Sequence, residues 1–302
     1  MKMEIKYHNP VLLDRSVEDL VTNPDGIYVD VTFGGGGHSR KILKSLSPEG
    51  KLFAFDQDQD AVKNTLADPR FELIQANFKD LKRYLKFYGI KEVDGILADF
   101  GVSSHQFDAE QRGFSTRFEG RLDMRMDQDA SLSAFEVVNT YSEQELISIM
   151  KLYGEVKGAH KIVSAILEQR DVADIETTTE LIEIIKPLIP ERFINKILAQ
   201  VFQAIRIEVN QELEVIKLFL QQTVEVLKPS GRLVCISYHS LEDRLVKRFI
   251  REGVFEGEAE QDFFGNRFTP FKKVGGLVIP SDEEIKLNSR ARSAKLRTAE
   301  KK

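Results

Sequence analysis

The sequence predicts an α/β fold, a parallel sheet covered on both faces and interrupted by an all-helical insertion. Four short apolar runs in the first hundred residues alternate with helix-like stretches, the rhythm of βαβ units. Each run is continuous rather than alternating, as suits strands buried on both faces. The next convincing strand begins only at Arg232, which leaves 131 residues from 101 to 231 where a crossover needs a few dozen.

The runs are Ile27–Phe33, Lys51–Asp56, Phe71–Asn77 and Asp94–Phe100, with helices expected over Ser39–Leu46 and Asp58–Leu66. The first leads into Phe33-Gly34-Gly35-Gly36-Gly37-His38, where glycine lets the backbone turn tightly and approach a ligand. The helix start beyond adds unpaired N–H groups and a positive dipole end. The second run ends in Asp56, about 20 residues past the loop, where a carboxylate can accept both hydroxyls of a ribose. Together these point to a nucleoside-containing cofactor at the carboxyl edge of the sheet. Asp30, just ahead of the glycines, favours a ligand bearing an ammonium and a sulfonium over a pyrophosphate. Asp30-Val31-Thr32-Phe33-Gly34-Gly35-Gly36 resembles the acid-spacer-glycine pattern of S-adenosylmethionine-dependent methyltransferases, with Thr32 in place of the first glycine. The expected sheet is then Rossmann-like, of the class I methyltransferase kind, and an NAD-dependent dehydrogenase is the weaker reading.

The third run ends at Asn77-Phe78, where an adenine ring can lie against Phe78 or the ring can simply be core. The fourth ends in Asp99-Phe100-Gly101-Val102-Ser103-Ser104-His105-Gln106, and polar groups crowding a parallel strand end are candidates for chemistry. Many amino-group methyltransferases carry an acid or Asn there followed by Pro-Pro and an aromatic. This chain keeps the acid, Asp99, and lacks the prolines. Ser103 and Ser104 sit in no G-x-S-x-G elbow and read as loop hydrogen-bonders.

The insertion reads as helical, with capping boxes at Ser142-x-x-Glu145 and Thr177-x-x-Glu180 and an apolar stripe of Ile162, Val163, Ile166 and Leu167. Pro187 and Pro190 interrupt it before a further long helix. The expected division is a discontinuous cofactor domain, 1–106 with 215–302, and an inserted substrate-recognition domain, 107–214. After Arg232–Ser237, Phe268–Lys272 and Ser293–Ala299 are weak final strands that complete the sheet.

Composition removes other classes. With 43 basic and 48 acidic side chains the chain carries −5, so a uniformly basic coat is excluded while a local patch is not. The single cysteine, Cys235, allows no internal disulfide and no multi-thiolate metal site. No apolar run reaches the length of a membrane span, and residues 1–8 lack the apolar core of a signal peptide, so a cytoplasmic protein is expected. The histidines at 8, 38, 105, 160 and 239 show no ligand spacing, and no metal is expected. His8 and His239 are candidate general bases, with a structural role favoured for each.

Eight motifs in order resemble one family, the bacterial 16S rRNA cytidine-N4 methyltransferases. They are His8-x-Pro10-Val11-Leu12-Leu13, Asp30-x-Thr32-Phe33-Gly34-x-Gly36-Gly37-His38-Ser39, Asp99-x-Gly101-Val102-Ser103-Ser104-x-Gln106 and Arg112-Gly113-Phe114-Ser115. Then come Leu122-Asp123-Met124-Arg125-Met126-Asp127, Phe202-Gln203-Ala204-Ile205-Arg206-Ile207-x-Val209-Asn210, Ser237-x-His239-Ser240-Leu241-Glu242-Asp243-Arg244 and Arg290-Ala291-Arg292-Ser293. The resemblance implies S-adenosylmethionine as methyl donor and N4 of a decoding-centre (P-site) cytidine as acceptor, in an assembled small subunit. It places cofactor contacts at Gly36, Gly37, His38, Asp56, Phe78, Asp99 and Gln106, and it makes the insertion a cytidine-recognising domain. Gln200 stands where the family has an arginine two residues before Phe-Gln-Ala.

Methyl transfer from a sulfonium is an in-line displacement, so alignment is the main task. Asp99 is the candidate catalytic residue, placed where cofactor and target amine meet. For RNA, Arg112, Arg125, Arg206, Arg290 and Arg292 are the candidate contacts. Residues 286–302 hold seven basic side chains against one acidic, net +6, a basic arm suited to phosphates. A non-catalytic RNA-binding or assembly factor that retains the fold is the alternative, and both a monomer and a homodimer remain open.

Overall fold

The computed structural model describes residues 10–261, 263–265 and 267–302, apart from the side chain of Ser104. His8, one of the candidate bases, lies outside the described residues. The chain divides into two compact units, one running to Gly101 and resuming at Leu213–Lys302, the other Val102–Glu212.

The first unit is built on seven strands, β1 Ile27–Asp30, β2 Lys51–Asp56, β3 Phe71–Gln75, β4 Val93–Asp99, β5 Leu227–Ser237, β6 Phe271–Val278 and β7 Lys295–Lys301. Their order is β3-β2-β1-β4-β5-β7-β6, with β1, β2, β3, β4 and β5 parallel and β7 antiparallel to both β5 and β6. Apart from the intercalated β7 this is the 3-2-1-4-5-6 order of a Rossmann-like nucleotide-binding sheet. The continuous apolar runs are explained by the two cores they feed. Val29, Phe53, Phe55, Ile96, Ala98, Leu233 and Cys235 point into one core. Tyr28, Leu52, Ala54, Leu97, Val234 and Ile236, their neighbours along each strand, point into the other.

Strand ends differ slightly from expectation. β1 stops at Asp30, although Val31 N–H still donates to the Leu97 carbonyl and Phe33 N–H to the Phe55 carbonyl. β5 begins before its turn residues, and its pairing with β4 shifts register between Val93 and Gly95. The basic C-terminal segment completes the sheet, as expected of Ser293–Ala299: residues 295–301 form β7, between β5 and β6. Arg297 makes a two-pronged ion pair with Asp243 (2.7 and 3.1 Å), so this cation is spent within the fold.

The second unit consists of helices and short 3-10 turns among the described residues. Its core gathers Leu146, Val163, Ile166, Leu181, Val201, Phe202 and Ile205. Both expected capping boxes form, and Ser103 with Gln106 and Ser133 with Glu136 add two more. No helix among the described residues is long and apolar enough to cross a membrane.

The β7 ion pair is testable. Asp243 is part-buried, and burial alone would raise its pKa, yet Arg297 and Lys295 hold it below the usual carboxylate range. Arg297→Ala leaves that carboxylate short of its partner and should cost roughly 1–3 kcal/mol in denaturant unfolding. A loss under about 0.5 kcal/mol, the scatter of ordinary surface changes, would show that the pair holds nothing.

Candidate functional site

The sheet order reverses between β1 and β4, and ligands of open α/β sheets bind outside the carboxyl ends of the strands at such a point. Residues from the first unit converge there. Asp30, the last residue of β1, is 1% exposed. Its Oδ1 accepts the Thr32 N–H (3.1 Å), and its Oδ2 accepts the Ser39 hydroxyl (2.7 Å). Burial raises its pKa, and the bonds from Ser39 and Thr32 oppose the rise. Asp30 therefore ties the glycine loop to the helix Gly37–Ser45 and does not face a ligand directly, unlike the role its position first suggested.

Thr32, the departure from glycine, has a visible use. Its hydroxyl accepts the Asp99 N–H at 2.7 Å, which fastens the end of β4 to the end of β1. Beyond it Gly34 and Gly36 take positive φ. A Cβ on Gly36 would stand 2.8 Å from the Phe33 ring, and one on Gly37 would stand 2.1 Å from Pro10 Cγ. The loop and the Pro10 motif are thus packed too closely for any side chain.

Asp56 closes β2 and reaches back to the loop: Oδ2 accepts the Gly34 N–H (2.7 Å) and Oδ1 the Asp58 N–H (2.9 Å). Burial pushes its pKa up to about 6 against the pull of those bonds. Phe78 follows β3, with its ring centroid 6.1 Å from Phe100 and 5.4 Å from Phe219. It is half-buried, so one part anchors in an aromatic cluster while the rest stays open.

Asp99 ends β4. Oδ1 accepts the Tyr238 hydroxyl at 2.8 Å, and Oδ2 lies 3.8 Å from His38 Nδ1. His38 is 5% exposed, and its Nε2 stands 3.2 Å from the Val11 carbonyl. A carbonyl only accepts, so Nε2 carries the hydrogen and Nδ1 of the neutral ring presents its lone pair toward Asp99. Burial lowers the His38 pKa, with Asp99 and Val11 opposing. Burial pushes Asp99 up to about 6, with His38 and Tyr238 pulling it down. Tyr238 stays protonated, since burial and the Asp99 charge raise its pKa well above 10.

Tyr238 was missed in the sequence, where it is the unspecified position of Ser237-x-His239. It follows directly on β5, beside β4, and the rule that exposed Asp99 could have found it. His239 sits 3.1 Å from Glu242 Oε1, and Glu242 is fully buried, accepting the Tyr238 N–H at 2.8 Å.

The second unit holds Gln106, whose Oε1 accepts the Ser103 N–H (2.9 Å) in a capping box. Three predicted RNA contacts are committed inside this unit. Arg112 is 7% exposed and donates to the carbonyl of Arg125 (2.8 Å). Arg125 grips Asp123 through two bonds (3.0 and 2.7 Å), and Arg206 grips Glu212 likewise (2.8 and 3.0 Å). These guanidiniums order loops and helix ends of their own unit, and the Arg125 side chain keeps part of its surface exposed. Asn210 joins two of the motifs by accepting the Met126 N–H (2.7 Å) and donating to the Met124 carbonyl (2.8 Å). Gln200 is half-buried and donates to the Glu155 carbonyl at 3.3 Å. Of the terminal arginines, Arg290 is half-buried and Arg292 exposed.

The sheet order, the glycine loop after β1, the acid closing β2 and the acid at the end of β4 define a class I methyltransferase domain. Residues 5–302 match the MraW methylase family, and the chain belongs to that family. It is 62% identical over 301 residues to a Flavobacterium johnsoniae protein named ribosomal RNA small subunit methyltransferase H, covering 100% of both chains. Proteins of that name from Christiangramia forsetii (62% over 301 residues, 100% of both) and Bacteroides thetaiotaomicron (54% over 302 residues, 100% of this chain and 99% of that one) are similarly alike.

The Thr32 hydroxyl provides a test of the switch-point joint. Thr32→Val leaves the buried Asp99 N–H without its acceptor and should lower stability by roughly 1–3 kcal/mol, while Thr32→Ser restores most of it. Equal stability of all three proteins in urea would remove the joint.

Proposed function

We propose that this chain transfers a methyl group from S-adenosylmethionine to N4 of a cytidine in 16S rRNA, at the decoding-centre P site of the small ribosomal subunit. Asp99 carries the reading: an acid at the switch point, held from β1 and β5, in a family whose relatives bear the name given above. The residues fit the cofactor. The loop after β1 turns tightly through Gly34 and Gly36 at positive φ and leaves its backbone bare of side chains at the carboxyl edge, Asp56 is a ribose acceptor, and Asp99 is an anion for an ammonium or sulfonium.

S-adenosylmethionine, when bound, supplies an electrophilic methyl group on a cationic sulfur. The chain's own residues do the rest. Gly36 and Gly37 admit close backbone approach, Asp56 accepts ribose hydroxyls, and Phe78 presents its open side to the adenine. Asp99 also accepts a hydrogen bond from the target amine, which helps localise the nitrogen lone pair as it pyramidalises. Val102–Glu212, with Gln106 near its start, serves as the substrate-recognition unit, and the cytidine swings out of its stack to be reached. Arg112, Arg125, Arg206, Arg290 and Arg292 are the RNA contacts of this reading. A ribosomal substrate puts the site of action in the cytoplasm, and a homodimer is compatible with this scheme.

Incubating the protein with small subunits from an unmodified strain and labelled cofactor should yield N4-methylcytidine on nucleoside analysis. Its absence would favour a non-catalytic assembly factor. Asp99→Ala should lower turnover at saturating cofactor on the order of 100-fold or more; near-normal turnover would sink the role given to this carboxylate.

The two buried carboxylates also fix a pH dependence. Asp56 and Asp99 are raised to about 6 from an ordinary value of 3.8. Between those values the free folded protein holds protons that the unfolded chain has lost. Their contribution to the free protein's stability is therefore full below about 4 and lost as pH rises through 6. A ligand that needs both carboxylates ionised binds more weakly as pH falls through 6. The thermal shift produced by S-adenosylmethionine should thus grow from pH 5 to pH 7, and Asp56→Asn should flatten the trend. A shift independent of pH would contradict this.

A further inference from the structure

Three of the five arginines assigned to RNA also bond partners of their own unit, so it matters where else a polyanion is held. The helix Ser240–Glu252 answers it. Arg244, Lys247, Arg248 and Arg251 recur at i, i+3, i+4 and i+7, so they share one face. Leu241, Val246, Phe249 and Ile250 bury the opposite side. The acids of this helix are turned to internal duties. Asp243 pairs with Arg297, Glu242 accepts the Tyr238 N–H, and Glu252, 4% exposed, takes Arg251 (2.7 Å) and Arg267 (2.9 Å). The helix begins two residues after Tyr238, which bonds Asp99. Thirteen helical residues carry the basic face about 20 Å away from that carboxylate.

At the far end stands a short hairpin closed by a bridge between Gln261 and Arg267. A cavity of about 390 Å³ lies between its base and the helix, lined by Arg248, Arg251, Glu252, Gly257, Glu258 and Arg267. Arg248 donates to the Gly257 carbonyl, while its buried Nε has no hydrogen-bond partner among the described residues. The hairpin tip offers Phe263 and Phe264, 98% and 85% exposed, with their rings edge to face at 5.7 Å. Rings of this size left in water mark a contact surface. Exposed Glu256, Glu258 and Glu260 on the intervening loop confine a polyanion to the helix face and the tip.

We propose that this basic helix face and the Phe263–Phe264 tip form an RNA-binding surface, with phosphates along the helix and unpaired bases stacked on the rings. The chemistry is the pairing of guanidinium and ammonium groups with exposed aromatic faces that single-stranded RNA uses. The inference rests on the rRNA reading of the site and says where the flanking RNA lies.

Two double variants test it, Lys247→Gln with Arg248→Gln and Phe263→Ala with Phe264→Ala, in the full chain. Binding to protein-free 16S rRNA is followed by fluorescence anisotropy between 50 and 200 mM salt. The charge variant should bind roughly tenfold more weakly and reduce the slope of log K against log salt by about 1.5. The aromatic variant should lose about fivefold or more with the slope unchanged. The thermal shift by S-adenosylmethionine should match wild type in both, which separates lost contact from lost folding. Wild-type affinity and slope in both variants would overturn the surface. So would a loss seen only with intact subunits, which would make a ribosomal protein the occupant. RNA binding that depends on these residues without any N4-methylcytidine formed would support the surface and reject the catalytic reading.

Discussion

Everything at the carboxyl edge of the sheet depends on one buried carboxylate. Asp30 has two oxygens and no solvent, so each must be satisfied by the protein. One fixes Thr32 and the other fixes Ser39, and the glycine loop is strung between those two points. Thr32 in turn holds the Asp99 backbone, and Asp99 receives the Tyr238 hydroxyl. Three strand ends are thereby joined through hydrogen bonds that leave little slack. This is the preorganisation that alignment chemistry needs, since a displaced acceptor loses rate steeply.

The same enclosure creates an electrostatic tension. Asp30, Asp56 and Asp99 are desolvated acids in one neighbourhood, and the nearest cation is a histidine that burial itself discharges. The free site therefore keeps its carboxyls protonated to a higher pH than usual, and a cationic ligand favours their ionised form. Selectivity for a sulfonium and ammonium over a diphosphate follows from sign alone, before any shape is considered.

Much of the fold was legible because parallel strands buried on both faces leave continuous apolar runs, and Lys51–Asp56 appears in the structure with the very ends the sequence indicates. The long gap before Arg232 made the insertion visible by counting. Strand-end acids and the glycine loop were legible because backbone geometry demands those residue types. Arginines were not, because the sequence shows a charge and hides its partner: Arg125 carries Asp123 two residues away, yet Arg112 spends itself on carbonyls 13 and 14 residues downstream. The terminal basic segment was legible as a strand, but the partner of its arginine was not: Leu296, Thr298 and Ala299 are buried, and Arg297 between them is paired with Asp243. Tyr238 went unseen because its value lies in a neighbour reached only across the sheet.

The position of β7 sets an order on folding. It follows β6 in the chain yet lies between β5 and β6, so β6 has no strand to pair with and β5 keeps one edge open until residues 295–301 exist. The Thr298 hydroxyl also bonds Asp19, and Glu284 accepts the Leu12 N–H, so the first helix, Leu13–Leu20, is fastened by late residues. During synthesis the sheet can assemble from β3 through β5 and then must wait with an open edge, the state in which strand proteins are most prone to mispair. The helix Ser240–Glu252, made in that interval, has Asp243 without Arg297 and so reaches its final charge balance only when the last strand slides home.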